Sequence, residues 1–314
     1  MPALRRQNFE CQRYRGRLLY RGFTLVELIV VITIIVLLVA FLLPAVFSGI
    51  ARARISEVKS EIIRLESAIA AFQAKYGMDP PSRITLYPNQ AGWDSDPRSR
   101  GFIRRMWPQF DFSGSGGLPV VDRPGQIDIP AVGLTLNGAE CLVFFLGGII
   151  DPDSGAHDGF SKNPRTPFIS GGNRVEPFFE FDGGLDTNTV EWKRRLADVS
   201  VPPNDAPEYR DTFPGQALPY IYFSSYDGRG YSVAGTPWQN VDCAGLMNYA
   251  YYTSFNAANA TNSQPYRPNG FQIISPGMDF QYGTGRLFDP ENTIDLSVAD
   301  ADNITNFHDG CLKR

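Results

Sequence analysis

Histidine is almost missing from this 314-residue chain: His157 and His308 are the two present. No HExxH, P-loop or GxSxG pattern occurs, and no glycine precedes Ser113 in Ser113-Gly114-Ser115-Gly116-Gly117. That glycine-rich stretch therefore reads as a flexible loop and not as a nucleophile elbow. With so few general bases and no nucleophile motif, the chain reads as a non-enzyme. Cysteine is scarce as well, four residues with no CxxC, which excludes a zinc ribbon or a thioredoxin-like site. Positive charge is not in surplus: 29 Lys and Arg stand against 33 Asp and Glu, a net charge of -4. Nucleic acid needs a basic footprint, so it is excluded as a partner. No internal repeat is present.

What the chain has is one long apolar run. From Leu28 to Phe47 the only polar side chain is Thr33. As a helix rising about 1.5 Å per residue, such a run reaches roughly 30 Å, the thickness of a bilayer core. Arg21-Gly22-Phe23-Thr24-Leu25-Val26-Glu27 leads into it. A carboxylate at the head of a membrane helix is costly, so Glu27 implies a partner. Charge is uneven along the chain. Arg5, Arg6, Arg13, Arg15, Arg17 and Arg21 against Glu10 give residues 1–22 a net +5, which leaves -9 for the remainder. A basic flank ahead of an apolar span stays cytoplasmic, and the bulk of the chain then lies across the membrane. Arg52 and Arg54 on the far side oppose this bias weakly.

The apolar run continues into a helix expected from Phe23 to about Tyr76. Pro44 removes one N–H and is expected to kink or locally melt it. Further on, Ile55, Val58, Ile62, Leu65, Ile69, Phe72 and Tyr76 recur at spacings of three and four, one apolar stripe. Glu57, Lys59, Ser60, Glu61, Arg64, Glu66, Gln73 and Lys75 read as the polar face. The stripe lasts about three heptads, so packing on the chain's own sheet is expected ahead of a coiled coil. Gly77 and Asp79-Pro80-Pro81 end the helix. Residues 82–133, rich in Pro, Gly, Ser and Arg, read as irregular. Asn137-Gly138-Ala139-Glu140 reads as a capping box opening a short helix that Gly147-Gly148 closes. Phe178 to Phe181, Tyr220 to Ser224, Tyr249 to Thr253 and Phe271 to Ser275 read as strands. Asp182-Gly183-Gly184, Asp227-Gly228 and Asn269-Gly270 read as turns. The expected fold is α+β: a long N-terminal helix packed on a C-terminal antiparallel sheet with long loops. Residues 151–215 read as an insertion or an elaborated loop.

The glycine, the aromatic after it, the glutamate and the apolar run together resemble the class III signal of type IV pilins and type II secretion pseudopilins. The resemblance is specific over residues 21–76. It implies cleavage between Gly22 and Phe23 by prepilin peptidase and methylation of the new N-terminal Phe23. Glu27 is then the fifth residue of the mature chain, the family's acidic position, and Pro44 falls near a proline common in the family. The implied layout is a leader at 1–22, a membrane and filament-core half-helix at 23–47, an amphipathic half at 48–76, and a head at 77–314. Cys11 leaves with the leader. Cys141, Cys243 and Cys311 remain, enough for one internal disulfide with its pairing open. The implied protein is a single-pass inner-membrane subunit with a cytoplasmic N-terminus and a periplasmic head. Its implied partners are the peptidase, other pilin or pseudopilin subunits and the inner-membrane assembly platform. Glu27 would meet the charged N-terminus of a neighbouring subunit. The family's large tip subunit generally lacks this glutamate. The alternatives are a minor pilin whose enlarged head is adhesive or ligand-binding, and a single-pass receptor that keeps residues 1–22.

Two acidic regions are candidates for calcium. Asp151-Pro152-Asp153-Ser154-Gly155 with Asp158 has hard oxygen ligands close together, though Lys162 occupies the place of an EF-hand's final Glu. A solvated turn is the alternative. Phe271 to Gly283 resembles the last strand and following loop of the major pseudopilin, where that family holds calcium. By that resemblance Asp279, Asp300 and Asp302 are the candidate ligands, with Asn303 beside them. A loop tied by Asx turns is the alternative.

Overall fold

The chain is described here from a computed structural model. The residues described are 22–118, 129–189, 191–235, 239–243, 245–292 and 296–313. The leader expected at 1–22, apart from Gly22, lies outside them. The chain forms two compact units, residues 1–51 and 52–314.

In the first unit the helix α1 (Leu25–Tyr76) begins, and every described side chain from Gly22 to Ile50 is exposed. An 18-residue window of α1 has a mean hydropathy of 3.2, so the helix is long and apolar enough to cross a membrane. It runs on through Pro44 without the local melting expected there.

In the second unit the remainder of α1 lays its stripe into a core. Val58, Ile62, Leu65, Ile69 and Phe72 are buried, with Ile55 and Tyr76 half-buried against the same cluster. Gly77, at φ 70°, ends the helix, its N–H bonded to the Gln73 carbonyl. Glu61 departs from the polar face expected for it: it is 1% exposed.

Beyond α1, residues 82–133 are more regular than their composition implies. They hold β1 (Ile84–Leu86), α2 (Gln90–Ser95) and α3 (Pro97–Met106). The polar and Pro residues that read as breakers are helix starts. The Asn89 side chain accepts from Gly92 N–H, and that of Asp96 accepts from Arg98 and Ser99 N–H, with Pro97 in the first turn. β2 (Leu134–Leu136) pairs antiparallel with β1. The capping box at Asn137 and Glu140 is present and opens α4 (Gly138–Gly147).

Next come β3 (Phe160–Ser161), β4 (Arg174–Val175), β5 (Gly183–Asp186), β6 (Glu191–Arg194), β7 (Leu196–Ala197) and β8 (Glu208–Tyr209). They pair in sequence as three two-stranded antiparallel ladders. Two expectations fail here. Phe178 to Phe181 is not a strand, because the N–H groups of Phe178 and Phe179 both bond to the Leu146 carbonyl at the end of α4. Gly183 and Gly184 are not a turn but the start of β5. A Cβ on Gly184 would lie 2.6 Å from the Gly155 carbonyl, so the glycine serves a close approach of two backbones.

The last part holds β9 (Ile221–Ser224), β10 (Val233–Ala234), β11 (Gln239–Asn240), β12 (Tyr251–Ser254), β13 (Gln264–Pro265), β14 (Phe271–Ser275), β15 (Arg286–Leu287), α5 (Val298–Ala301) and β16 (Ile304–Thr305). β14 is central in an antiparallel sheet, with Ile274 opposite Ile221 on β9 and Thr305 on β16. Its alternation divides two cores. Ile273 faces the cluster that contains the α1 stripe, and Ile274 faces a second one with Phe223, Tyr251 and Phe288. The sheet of β12, β13 and β15 includes one parallel pair, β12 with β15; the other named strand pairs are antiparallel. The fold is thus α+β, a long helix followed by a mostly antiparallel β domain. The stripe packs on the domain's own sheet, as expected.

Candidate functional site

The first unit carries the residues that the sequence singled out. Thr24 and Glu27 bond to each other at the start of α1. Thr24 N–H and Oγ1–H donate to Glu27 Oε2 at 2.9 and 2.8 Å, and Glu27 N–H donates back to Thr24 Oγ1 at 3.2 Å. This is a capping box, and the Thr-x-x-Glu spacing was legible beforehand. Both donors converge on Oε2; no bond to Oε1 is made among the described residues. Glu27 is therefore a negative charge at the positive end of a helix dipole, with one oxygen open. Phe23, just before it, is 74% exposed. A Cβ built on Gly22 meets no atom within 4 Å.

In the second unit, sequence reasoning missed Glu61. Its carboxylate receives Arg195 through both terminal nitrogens, Nη1 at 2.7 Å, together with the hydroxyls of Tyr209 at 3.0 Å and Tyr220 at 2.7 Å. Burial first, and then the Glu61 charge, push both phenols well above their ordinary range, so both are neutral donors. Arg195 also lies 4.3 Å from the Tyr209 ring centroid. The signal was present: Glu61 stands three residues after Val58 and four before Leu65, within the stripe. Two other polar residues of α1 make similar ties. Lys59 Nζ donates to the Thr305 and His308 carbonyls at 2.8 and 2.6 Å, and Glu66 Oε1 accepts from Asn306 Nδ2 at 3.0 Å.

The acidic loops use their carboxylates on protein donors. Asp151 Oδ1 accepts the N–H groups of Asp153 and Ser154 at 2.8 and 2.9 Å, and these bonds hold its pKa below the usual range. Asp158 pairs with Arg174 at 2.6 Å. Asp300, 1% exposed, accepts from the Tyr251 hydroxyl, Gly285 N–H, Thr284 N–H and Oγ1, and Ser297 Oγ. Asp302 Oδ2 takes Met278 and Asp279 N–H at 2.6 and 2.8 Å. Asp279 Oδ1 takes Gln281 N–H. A calcium ligand must offer lone pairs to the ion, and those of Asp300 are committed to five donors. Among the described residues no three His, Cys, Asp or Glu side chains are grouped to hold a metal. Asp300 is thus filled by protein donors, whereas Asp302 Oδ1 and Asn303 Oδ1 are buried with no hydrogen-bond partner among the described residues. Cys141, Cys243 and Cys311 are all free thiols.

Comparison with known proteins agrees with the first unit's features. Residues 18–43 match the prokaryotic N-terminal methylation motif. The chain is similar to type II secretion system core protein G of Klebsiella pneumoniae, 29% identical over 118 residues, 36% of this chain and 84% of that protein. It is also similar to core protein G of Klebsiella michiganensis, 32% identical over 114 residues, 35% of this chain and 80% of that protein. No solved structure matches. With the methylation motif, the apolar helix and a relative matched along most of its length, the chain belongs to the type II secretion core protein G family of pseudopilins.

Proposed function

We propose that the chain is a filament subunit, made as a precursor and assembled through α1. In this reading prepilin peptidase cuts between Gly22 and Phe23 and methylates Phe23. The precursor waits in the inner membrane with its N-terminus cytoplasmic and its head periplasmic. Removal of residues 1–22 takes away six arginines that would resist extraction of the helix from the bilayer. In the filament, the exposed apolar side chains from Phe23 to Ile50 exchange lipid for the same segment of neighbouring subunits.

The observation that carries this reading is the pair Thr24 and Glu27. The box fixes one carboxylate oxygen on the chain's own helix start and leaves Oε1 open. The cationic amine of a neighbour's Phe23 is the partner we assign to it. In a low-dielectric helix bundle such pairing offsets much of the desolvation cost. An unpaired carboxylate there is penalised, so the pair sets axial register more than it adds stability. The match of residues 18–43 to the N-terminal methylation motif supports the cut site.

Glu27→Ala and Glu27→Leu are expected to be processed normally and to assemble poorly, read by filament shearing and immunoblot. Normal filaments from either variant would remove the pairing role. Gly22→Leu is expected to retain the leader.

A second reading, a minor subunit with a ligand-binding head, is supported by how little of this chain its relatives match, 35% and 36%. Residues 151–215 would then be an insertion into the head. Subunit stoichiometry in sheared filaments separates the two.

A further inference from the structure

The second unit contains a pair of buried carboxylates with no cation between them. Glu140, on α4, is 1% exposed, and Glu208, on β8, is fully buried. Neither is in an ion pair among the described residues. Both meet the same hydroxyl. Ser200 Oγ bonds to Glu140 Oε1 and lies 3.1 Å from Glu208 Oε1. Two ionised carboxylates can only accept, and one serine hydroxyl carries one hydrogen. One of the two contacts therefore needs a second hydrogen.

The remaining partners decide where it sits. Glu140 takes Asn137 N–H at 2.7 Å and Asn204 Nδ2 at 2.9 Å besides Ser200. Glu208 takes one backbone donor, Val199 N–H at 2.8 Å. Burial raises the pKa of Glu140 as well, but three donors oppose that rise, and Glu208 with fewer donors is the poorer anion of the two. We propose that Glu208 carries a proton at neutral pH and donates it to Ser200 Oγ, which donates in turn to Glu140. The chain of bonds latches residues 198–208 shut across the cavity they wall.

Acidic side chains tie the segment at several further points. Asp198 Oδ1 accepts Ser200 N–H, and its Oδ2 accepts Asn204 and Asp205 N–H at 2.9 and 2.8 Å. Residues 199–205 line a cavity of about 670 Å³ together with Arg83, Leu134, Asn137 and Glu140. Among the described residues, the charges turned toward the pair are negative. Glu140 faces Glu208 from α4 and Asp198 faces both from the segment itself. The thiols of Cys141 and Cys243 lie near Glu140, and the Tyr282 phenol lies near Glu208. Arg83, the nearest cation on the cavity wall, gives Nη1 to the Val241 carbonyl.

Burial first, then the charge of Glu140, push Glu208 from the usual carboxylate value up to about 8. The folded state therefore holds a proton that the unfolded chain releases near 4.5. The latch is closed at neutral pH and is lost as pH rises through about 8, and the stability it contributes declines between pH 4.5 and about 8. Above it, two facing carboxylates repel and the 198–208 segment opens.

The test is hydrogen–deuterium exchange on the full chain in detergent, corrected for intrinsic rates, with infrared titration of the same sample. Exchange of the 198–205 amides is expected to speed up at least tenfold from pH 6 to pH 9, with β14 unchanged. Glu208→Gln, which keeps a donor at this position, is expected to hold those amides protected at both values. A protonated-carboxyl band present at pH 6.5 is expected to vanish by pH 9 in the native chain. If Glu208→Gln does not fold, the native infrared titration stands alone. Absence of the band at pH 6.5, or equal loss of protection in Glu208→Gln, overturns the proposal.

Discussion

Glu27 and Glu61 are the same residue on the same helix, and α1 treats them in opposite ways. Among the described residues, exposed Glu27 bonds to Thr24 three residues before it and makes no bond through Oε1. Glu61 is buried, and both oxygens are occupied by Arg195, Tyr209 and Tyr220 from more than a hundred residues away. One is satisfied locally with capacity left for another molecule; the other is consumed by its own fold. The difference shows that a conspicuous carboxylate in an apolar run can be left partly uncommitted by its own chain. An inconspicuous one among polar neighbours can hold the head on its helix.

The comparison can be broken at either end. The largest effect is expected from Glu61→Gln, which leaves the guanidinium of Arg195, 18% exposed, without its counter-charge. Denaturant unfolding of the full chain in detergent should lose about 3 kcal/mol. Glu27→Gln should leave that curve unchanged, and equal losses from the two would erase the distinction. A comparable loss is expected from acid, through a third buried ionisable group. His157 is buried, and burial outweighs a contact with the Gly148 backbone to bring its pKa from 6.5 down to about 4. The unfolded chain binds the proton first, so stability is present above pH 6.5 and is lost as pH falls toward 4. The loss should be on the order of 3 kcal/mol and absent in His157→Leu, relative to that variant's own value at pH 7. Thr24→Ala removes the cap hydroxyl beside Glu27 and should fray the first turn of α1 by about 1 kcal/mol, read by amide exchange in micelles. The smallest effect is expected from chelator. With Asp300 committed to protein donors, EDTA should not shift the melting temperature, whereas Asp300→Asn should lower it.

How far the sequence could be read depended on the range of the interactions. The Gly22–Glu27 signal, the stripe from Ile55 to Tyr76 and the box at Asn137 rest on contacts within a turn or two, and such patterns are visible in one dimension. β9, β12 and β14 were legible because their apolar runs lie between clear turns. The helices after Asn89 and Asp96 were hidden because the residues that cap a helix also populate loops. Phe178 to Phe181 had strand composition, but its N–H groups were drawn to the end of α4. The ties from Arg195 to Glu61 and from Ser200 to Glu140 and Glu208 join distant parts of the chain, and no local spacing announces them.

The central claim is that a cleaved and methylated N-terminus creates the cation that Glu27 awaits. Intact-mass and N-terminal sequence analysis of the protein recovered from membranes with an active prepilin peptidase tests it most directly. The account predicts a mature chain that starts at N-methylated Phe23. A chain that still starts at Met1 would contradict it.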